Sequence, residues 1–157
     1  MKSYYLLLAS LIYFITGCGP SEKELMTRAR EMMTNGDFVG ALPLLDKVIQ
    51  ADVKNKVAYN MRGITKLELG QNDHAILDFD VSINLDSNDY RSFYNRGNAK
   101  YQIGRYNQAI ADYDIALMLE PREADIYINR GNTLVQIDRY PEAINDYKFA
   151  LQLDDKN

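Results

Sequence analysis

The chain has no tryptophan, one cysteine and one histidine in 157 residues, and only four prolines. A lone cysteine excludes an intramolecular disulfide. With a single imidazole, His74, and a single thiol, no metal site built on nitrogen and sulfur ligands can be assembled. A glycine-rich phosphate loop is missing as well, because the glycines after residue 22 recur on a fixed beat, Gly40 apart, instead of clustering. Nucleophile, base and orienting group do not come together from the remaining residues. Positive charge is scarce relative to negative, 18 lysines and arginines against 22 aspartates and glutamates for a formal net charge of −4. No stretch concentrates the basic residues, which excludes the footprint of a nucleic-acid binder. The expectation is no enzyme, no catalytic residue, no metal, no cofactor and no nucleic acid.

What is present is repetition. Residues 90–123 return, type for type, in 56–89 and 124–157, and in skeleton form in 22–55, a period of 34. The eighth residue of the three full windows is Gly63, Gly97 and Gly131, the twentieth Ala75, Ala109 and Ala143, and the twenty-fourth Phe79, Tyr113 and Tyr147. The first window holds Ala29, Ala41 and Leu45 at those places. Small residues recurring beside a large apolar one describe two helices pressed together. Apolar spacings of three and four give each window two helices of about a dozen residues, roughly 18 Å each. Between them Gly36, Gly70 and Gly104 occupy a turn position suited to the left-handed conformation that ends a helix, with Asp138 as a tolerable substitute. Pro121 cannot continue the second helix of its window.

With Tyr59, Phe93 and Tyr127 at the fourth place, Ala116 and Ala150 at the twenty-seventh and Pro121 at the thirty-second, the sequence resembles the tetratricopeptide repeat family over residues 22–157. The resemblance implies an all-α fold, a right-handed α-solenoid of four helix-turn-helix repeats with boundaries 22–55, 56–89, 90–123 and 124–157. It also implies that the first helices of the repeats line a concave groove that holds a peptide or protein partner. At the groove-facing places stand Asn60 and Leu67, then Arg91, Tyr94, Asn95, Asn98 and Tyr101, then Asn129, Asn132 and Gln136. Amides both donate to and accept from an extended backbone, and tyrosine and leucine supply apolar contact. Chaperone-binding members of the family grip a carboxylate with a lysine-rich clamp. Asn98 and Asn129 fit its two amides, but Met26, Asn60, Tyr94 and Ile128 stand where its lysine is needed, so the clamp is not expected.

The seventh place, apolar in the family, is Arg28, Arg62, Arg96 and Arg130. A guanidinium near a helix contact needs an acceptor. Asp78, Asp112 and Asp146 can serve within a repeat. Asp46, Asp80 and Asp114 can serve the arginine of the following repeat, and this second list is slightly favoured because it turns to Lys148 where no further window follows.

The N-terminal segment has its own logic. Met1-Lys2-Ser3 is basic, Tyr4 to Ile15 is nearly unbroken apolar sequence, and Thr16-Gly17-Cys18 follows. Basic end, short apolar core and small residues make a secretory signal, and the apolar run is too short for the ~30 Å hydrocarbon core of a bilayer. Ile15-Thr16-Gly17-Cys18 resembles the lipobox of bacterial lipoproteins, departing from it in Ile15, where leucine is usual. That resemblance implies a signal peptide over 1–17, lipidation of Cys18, and a short tether over 18–21. Two or more chains on one residue give stable anchoring. An unlipidated signal peptide and an uncleaved anchor are the competing readings.

Together these features describe a lipid-anchored scaffold or adaptor at the bacterial cell envelope. Gly19, not aspartate, after the cysteine favours the outer membrane in a Gram-negative source. The alternative is a non-lipidated ligand-binding module or accessory subunit of an envelope enzyme. Ile144, Phe149 and Leu151 on the last helix are expected to leave an apolar C-terminal edge, where self-association or a partner is expected.

Overall fold

The computed structural model describes residues 19–154. The proposed signal peptide, Cys18 and residues 155–157 lie outside the described residues. Among those described there are eight helices and no strand. They are α1 (Glu22–Thr34), α2 (Phe38–Ala51), α3 (Lys56–Glu68), α4 (Asn72–Leu85), α5 (Tyr90–Gln102), α6 (Tyr106–Leu119), α7 (Ala124–Val135) and α8 (Tyr140–Asp154). The first helices of the repeats begin at Glu22, Lys56, Tyr90 and Ala124, the first residue of every window. No helix among the described residues is long and apolar enough to cross a membrane.

Local chemistry sets the helix ends. Ser21 opens α1 with a reciprocal cap: its Oγ accepts from the Glu24 amide at 3.3 Å, and the Glu24 carboxylate accepts from the Ser21 amide at 2.8 Å. Asp37 and Asn55 cap α2 and α3 in the simpler way, accepting from Gly40 and Ala58 amides. Each first helix stops where the chain turns left-handed, at Gly36, Gly70 and Gly104 with φ of 78°, 73° and 73°, and at Asp138 with φ 60°. Asp52, Asp86 and Glu120 close the second helices in extended conformation.

Within a repeat the two helices meet at the glycine of the first and the aromatic ring of the second. A Cβ placed on Gly63, Gly97 or Gly131 would stand 2.5, 2.6 or 2.7 Å from a ring carbon of Phe79, Tyr113 or Tyr147. The core runs on between repeats: Phe93, Ala109, Tyr113, Ala116, Leu117 and Ile126 form one buried cluster. First helices α1, α3 and α5 each also touch the next first helix, whereas among the described residues no second helix touches the next second helix. The stack therefore curves with the first helices on its inner face.

Arg62, Arg96 and Arg130 answer the pairing question differently from the expectation, because each takes both acids. Arg96 donates through Nε and Nη2 to the two carboxylate oxygens of Asp112, at 3.0 and 2.7 Å, and through Nη1 to Asp80 of the preceding repeat at 2.6 Å. Arg62 repeats this with Asp78 and Asp46, and Arg130 with Asp146 and Asp114. The preference for the inter-repeat acid alone is thus corrected. The within-repeat acid makes the bidentate, buried contact, and the planar five-donor fork has a third N–H left for the neighbour. The guanidiniums of Arg62, Arg96 and Arg130 also lie 5.4–5.7 Å from the ring centres of Tyr59, Phe93 and Tyr127. Hydrogen bonds to aspartate hold Arg62 and Arg130 well above the ordinary guanidinium value. Arg28 is exposed, and Leu44 stands where its own repeat would carry the acid.

Candidate functional site

The inner face divides into two pockets, each about 480 Å³. The first lies between α3, α5 and α7 and is walled by Leu67, Asn98, Tyr101, Asn129 and Asn132, with Glu68, Gln102 and Tyr113. Five of the ten groove residues expected from the sequence meet here. The second, between α1, α3 and the start of α5, brings Asn60 and Arg91 against Met33, Phe38, Val57 and Ile64. The remaining three stand apart from both. Tyr94 and Asn95 are half-buried in the hydrogen-bond network, and Gln136 is exposed at the end of α7, lining neither pocket.

Much of the amide row is engaged within the protein. The Tyr113 hydroxyl donates to Asn98 Oδ1 at 2.8 Å, and Asn129 Nδ2 donates to the same oxygen at 3.1 Å and to the Tyr94 hydroxyl at 2.9 Å. That fills both lone pairs of Asn98 Oδ1 and both hydrogens of Asn129 Nδ2. The Asn98 amide nitrogen is drawn toward the Tyr94 hydroxyl, whereas the Asn129 carbonyl oxygen keeps no protein partner among the described residues, and both residues wall the first pocket. A free amide carbonyl at the wall of a pocket can accept from the N–H of an extended peptide backbone. In the fourth repeat the Tyr147 hydroxyl donates to Asn132 Oδ1 at 2.8 Å.

A second network fixes the joint between repeats two and three. Ser82 Oγ donates to the Lys56 carbonyl at 3.0 Å, so the 2.9 Å contact between Ser82 and Ser92 has Ser92 as donor. Ser92 then accepts from Asn60 Nδ2 at 2.8 Å, and Asn60 Oδ1 accepts from Asn95 Nδ2 at 3.3 Å. Asn60 and Asn95 therefore hold the groove wall in place more than they face a ligand.

The residue the sequence reading placed only in the core is Tyr113. Its ring is 1% exposed, yet its hydroxyl reaches the groove, and burial pushes its pKa far above the ordinary phenol value. Tyr94, 6.2 Å from it between ring centres, is also pushed up by burial. The signal was in the sequence: Phe79 is matched by apolar Ile64, whereas Tyr113 and Tyr147 are matched by Asn98 and Asn132. His74 is exposed, and no group of three or more residues able to ligate a metal occurs among the described residues.

Stacked helical hairpins of this period with a walled inner face define a tetratricopeptide-type α-solenoid. Family models described as "TPR repeat" and "Tetratricopeptide repeat" match residues 97–138 and 124–157. No curated protein matches the chain in sequence. Among solved structures, a crystal structure of MamA is 21% identical with a TM-score of 0.81, covering 87% of this chain and 80% of that one. MamA from Desulfovibrio magneticus RS-1, solved from residue 41 to its end, is 20% identical with a TM-score of 0.81, covering 87% and 77%. At these identities the likeness is one of fold.

Proposed function

We propose that this chain is a scaffold that holds an extended segment of a partner polypeptide along its inner face, and that it does so at the bacterial cell envelope, tethered by a lipid on Cys18. The observation that carries the groove reading is the row of amides Asn98, Asn129 and Asn132 walling the first pocket, with the Asn129 carbonyl oxygen left as an uncommitted acceptor, flanked by Tyr101 and Leu67. Neutral amides without a lysine beside them suit the interior of a polypeptide better than its terminal carboxylate. The envelope reading is supported by the order of basic, apolar and small residues before Cys18. In a Gram-negative source, Gly19 favours the outer membrane. The anchor and the groove complement each other, because a membrane that concentrates scaffold and partner compensates for the modest affinity of four repeats.

Two measurements test the two halves separately. A photoreactive residue at Tyr101 should crosslink a polypeptide in the living envelope, and should do so far less when Asn98 and Asn129 are both alanine. Crosslinks that ignore the double substitution remove the groove. Mass spectrometry of the mature N-terminus should find acylated Cys18; a free thiol there removes the anchor and leaves the groove reading standing.

A further inference from the structure

The two inner-face pockets differ in chemistry, and the second repeat makes the difference. At the groove-facing place where the other repeats carry Lys23, Arg91 and Asp125 it has Val57, which is 45% exposed, and where they carry Arg30, Asn98 and Asn132 it has Ile64. With Met33, Phe38 and Met61 these two line the second pocket as an apolar recess. Glu68, the last residue of α3, walls both pockets. The six cations of α3 and α5 are all committed: Lys56, Arg62, Lys66, Arg91, Arg96 and Lys100 each bond an aspartate. Glu68 is the only acid on either helix, is exposed, and has no ion-pair or hydrogen-bond partner among the described residues. The walls of the first pocket include no lysine or arginine.

Granted the groove reading above, on which this rests, we propose that the inner face selects a partner segment with a large apolar side chain for the second pocket and, within about three residues of it, a lysine or arginine for Glu68 in the first. A pocket of about 480 Å³ is roughly 8 Å across, or two to three residues of extended chain at ~3.3 Å each, which sets that spacing. A basic side chain brings donors and no acceptor. The Glu68 carboxylate and the Asn129 carbonyl oxygen are free to accept from it, and the Tyr101 ring in the same wall offers a face to a cation. The base belongs on the side of the first pocket, because Arg30 stands across the second one on α1. Both pockets lie between helices of the stack, so neither owes its opening to an end of it.

Random peptides displayed between fixed flanking sequences, so that no free carboxylate is offered, are selected on the full-length chain and on its Glu68→Lys and Val57→Asp variants. Both places are exposed, and Val57→Asp copies Asp125 at the same place of the last repeat, so the variants keep the fold. The unaltered chain should enrich leucine, isoleucine, methionine or phenylalanine with a lysine or arginine within about three residues. A peptide so selected should bind Glu68→Lys about three- to tenfold more weakly, an exposed ion pair being lost and a repulsion gained, and high salt should narrow the gap. Glu68→Lys should itself select an acid in place of the base, and Val57→Asp should lose the apolar preference. Enriched peptides without that pairing, or a base that Glu68→Lys still selects, overturn the proposal and leave the groove reading standing. A library from which nothing is enriched removes both. A photoreactive residue at Val57 that crosslinks to residues 1–18 of its own chain gives the second pocket to this chain and overturns its assignment to a partner.

Discussion

The buried phenol of Tyr113 and the amide of Asn98 form a matched pair, and the second repeat shows what the match replaces: Phe79 with Ile64. Asn98→Ile leaves the Tyr113 hydroxyl buried without an acceptor and should cost about 1–3 kcal/mol. Tyr113→Phe should cost about 1 kcal/mol. The double variant should be more stable than the two losses added together, because it recreates the apolar pair of repeat two. Urea denaturation of the four proteins measures this, and strict additivity would show that the two groups do not act as a unit. The same phenol sets a pH limit. Below about pH 10 it is protonated whether the chain is folded or not; above that the unfolded chain releases its proton while burial keeps the folded one protonated, so stability falls as pH rises. The melting temperature should hold level from about pH 7 to 9 and drop beyond about 10, less steeply for Tyr113→Phe. These pairings lay open in the sequence as covarying places within the repeat. The division of Asn60, Asn95, Asn98 and Asn129 between internal bonds and the groove did not, since an amide at a groove-facing place reads the same whether its partner is a neighbouring side chain or a ligand.

The ends of the first helices were legible because a local device writes them, Gly36, Gly70 and Gly104 at the turns, whereas the starts of α4, α6 and α7 carry no side-chain cap and follow from the repeat period alone. Asp138 was readable as a tolerated exception, and its φ of 60° is the conformation expected of it. Pro43 is a local signal against a continuous α2, and the repeat pattern overrides it, because the packing of α2 outweighs the one bond the proline removes. It lies in the sixth position of α2 and is exposed. An interior proline removes one backbone hydrogen bond and crowds the preceding turn, at a cost of about 3 kcal/mol in a regular helix. Partial relaxation at an exposed site lowers that figure, so Pro43→Ala should stabilise the chain by about 1–2 kcal/mol, or raise the melting temperature by roughly 2–8 °C. A fall in melting temperature would mean that the ring makes a contact stronger than the hydrogen bond it displaces.

Across the whole array the arginine joints set how far stability is shared. Arg62, Arg96 and Arg130 each tie their own repeat to itself by a bidentate contact with a buried aspartate, and to the preceding repeat by one more bond. Lys66 and Lys100 add a second cation to Asp78 and Asp112. Losing the buried acid strands a guanidinium and a lysine, which makes Asp112→Ala a loss of about 3–5 kcal/mol. Asp114→Ala removes a carboxylate that is half exposed and should cost under about 1 kcal/mol. The first repeat has neither kind of joint at its own arginine, because Arg28 faces solvent and Leu44 replaces the acid. In a stack where each repeat is held by its neighbours, the end with the fewest ties opens first. Hydrogen exchange under native conditions should therefore run faster in α1 and α2 than in α5 and α6. Arg62→Ala, which cuts the bond to Asp46, should speed α1 and α2 further while leaving α7 and α8 nearly unchanged. Uniform exchange along the stack, or a response to Arg62→Ala spread equally over all four repeats, would show that the array opens as one unit and that the arginine joints do not set its order.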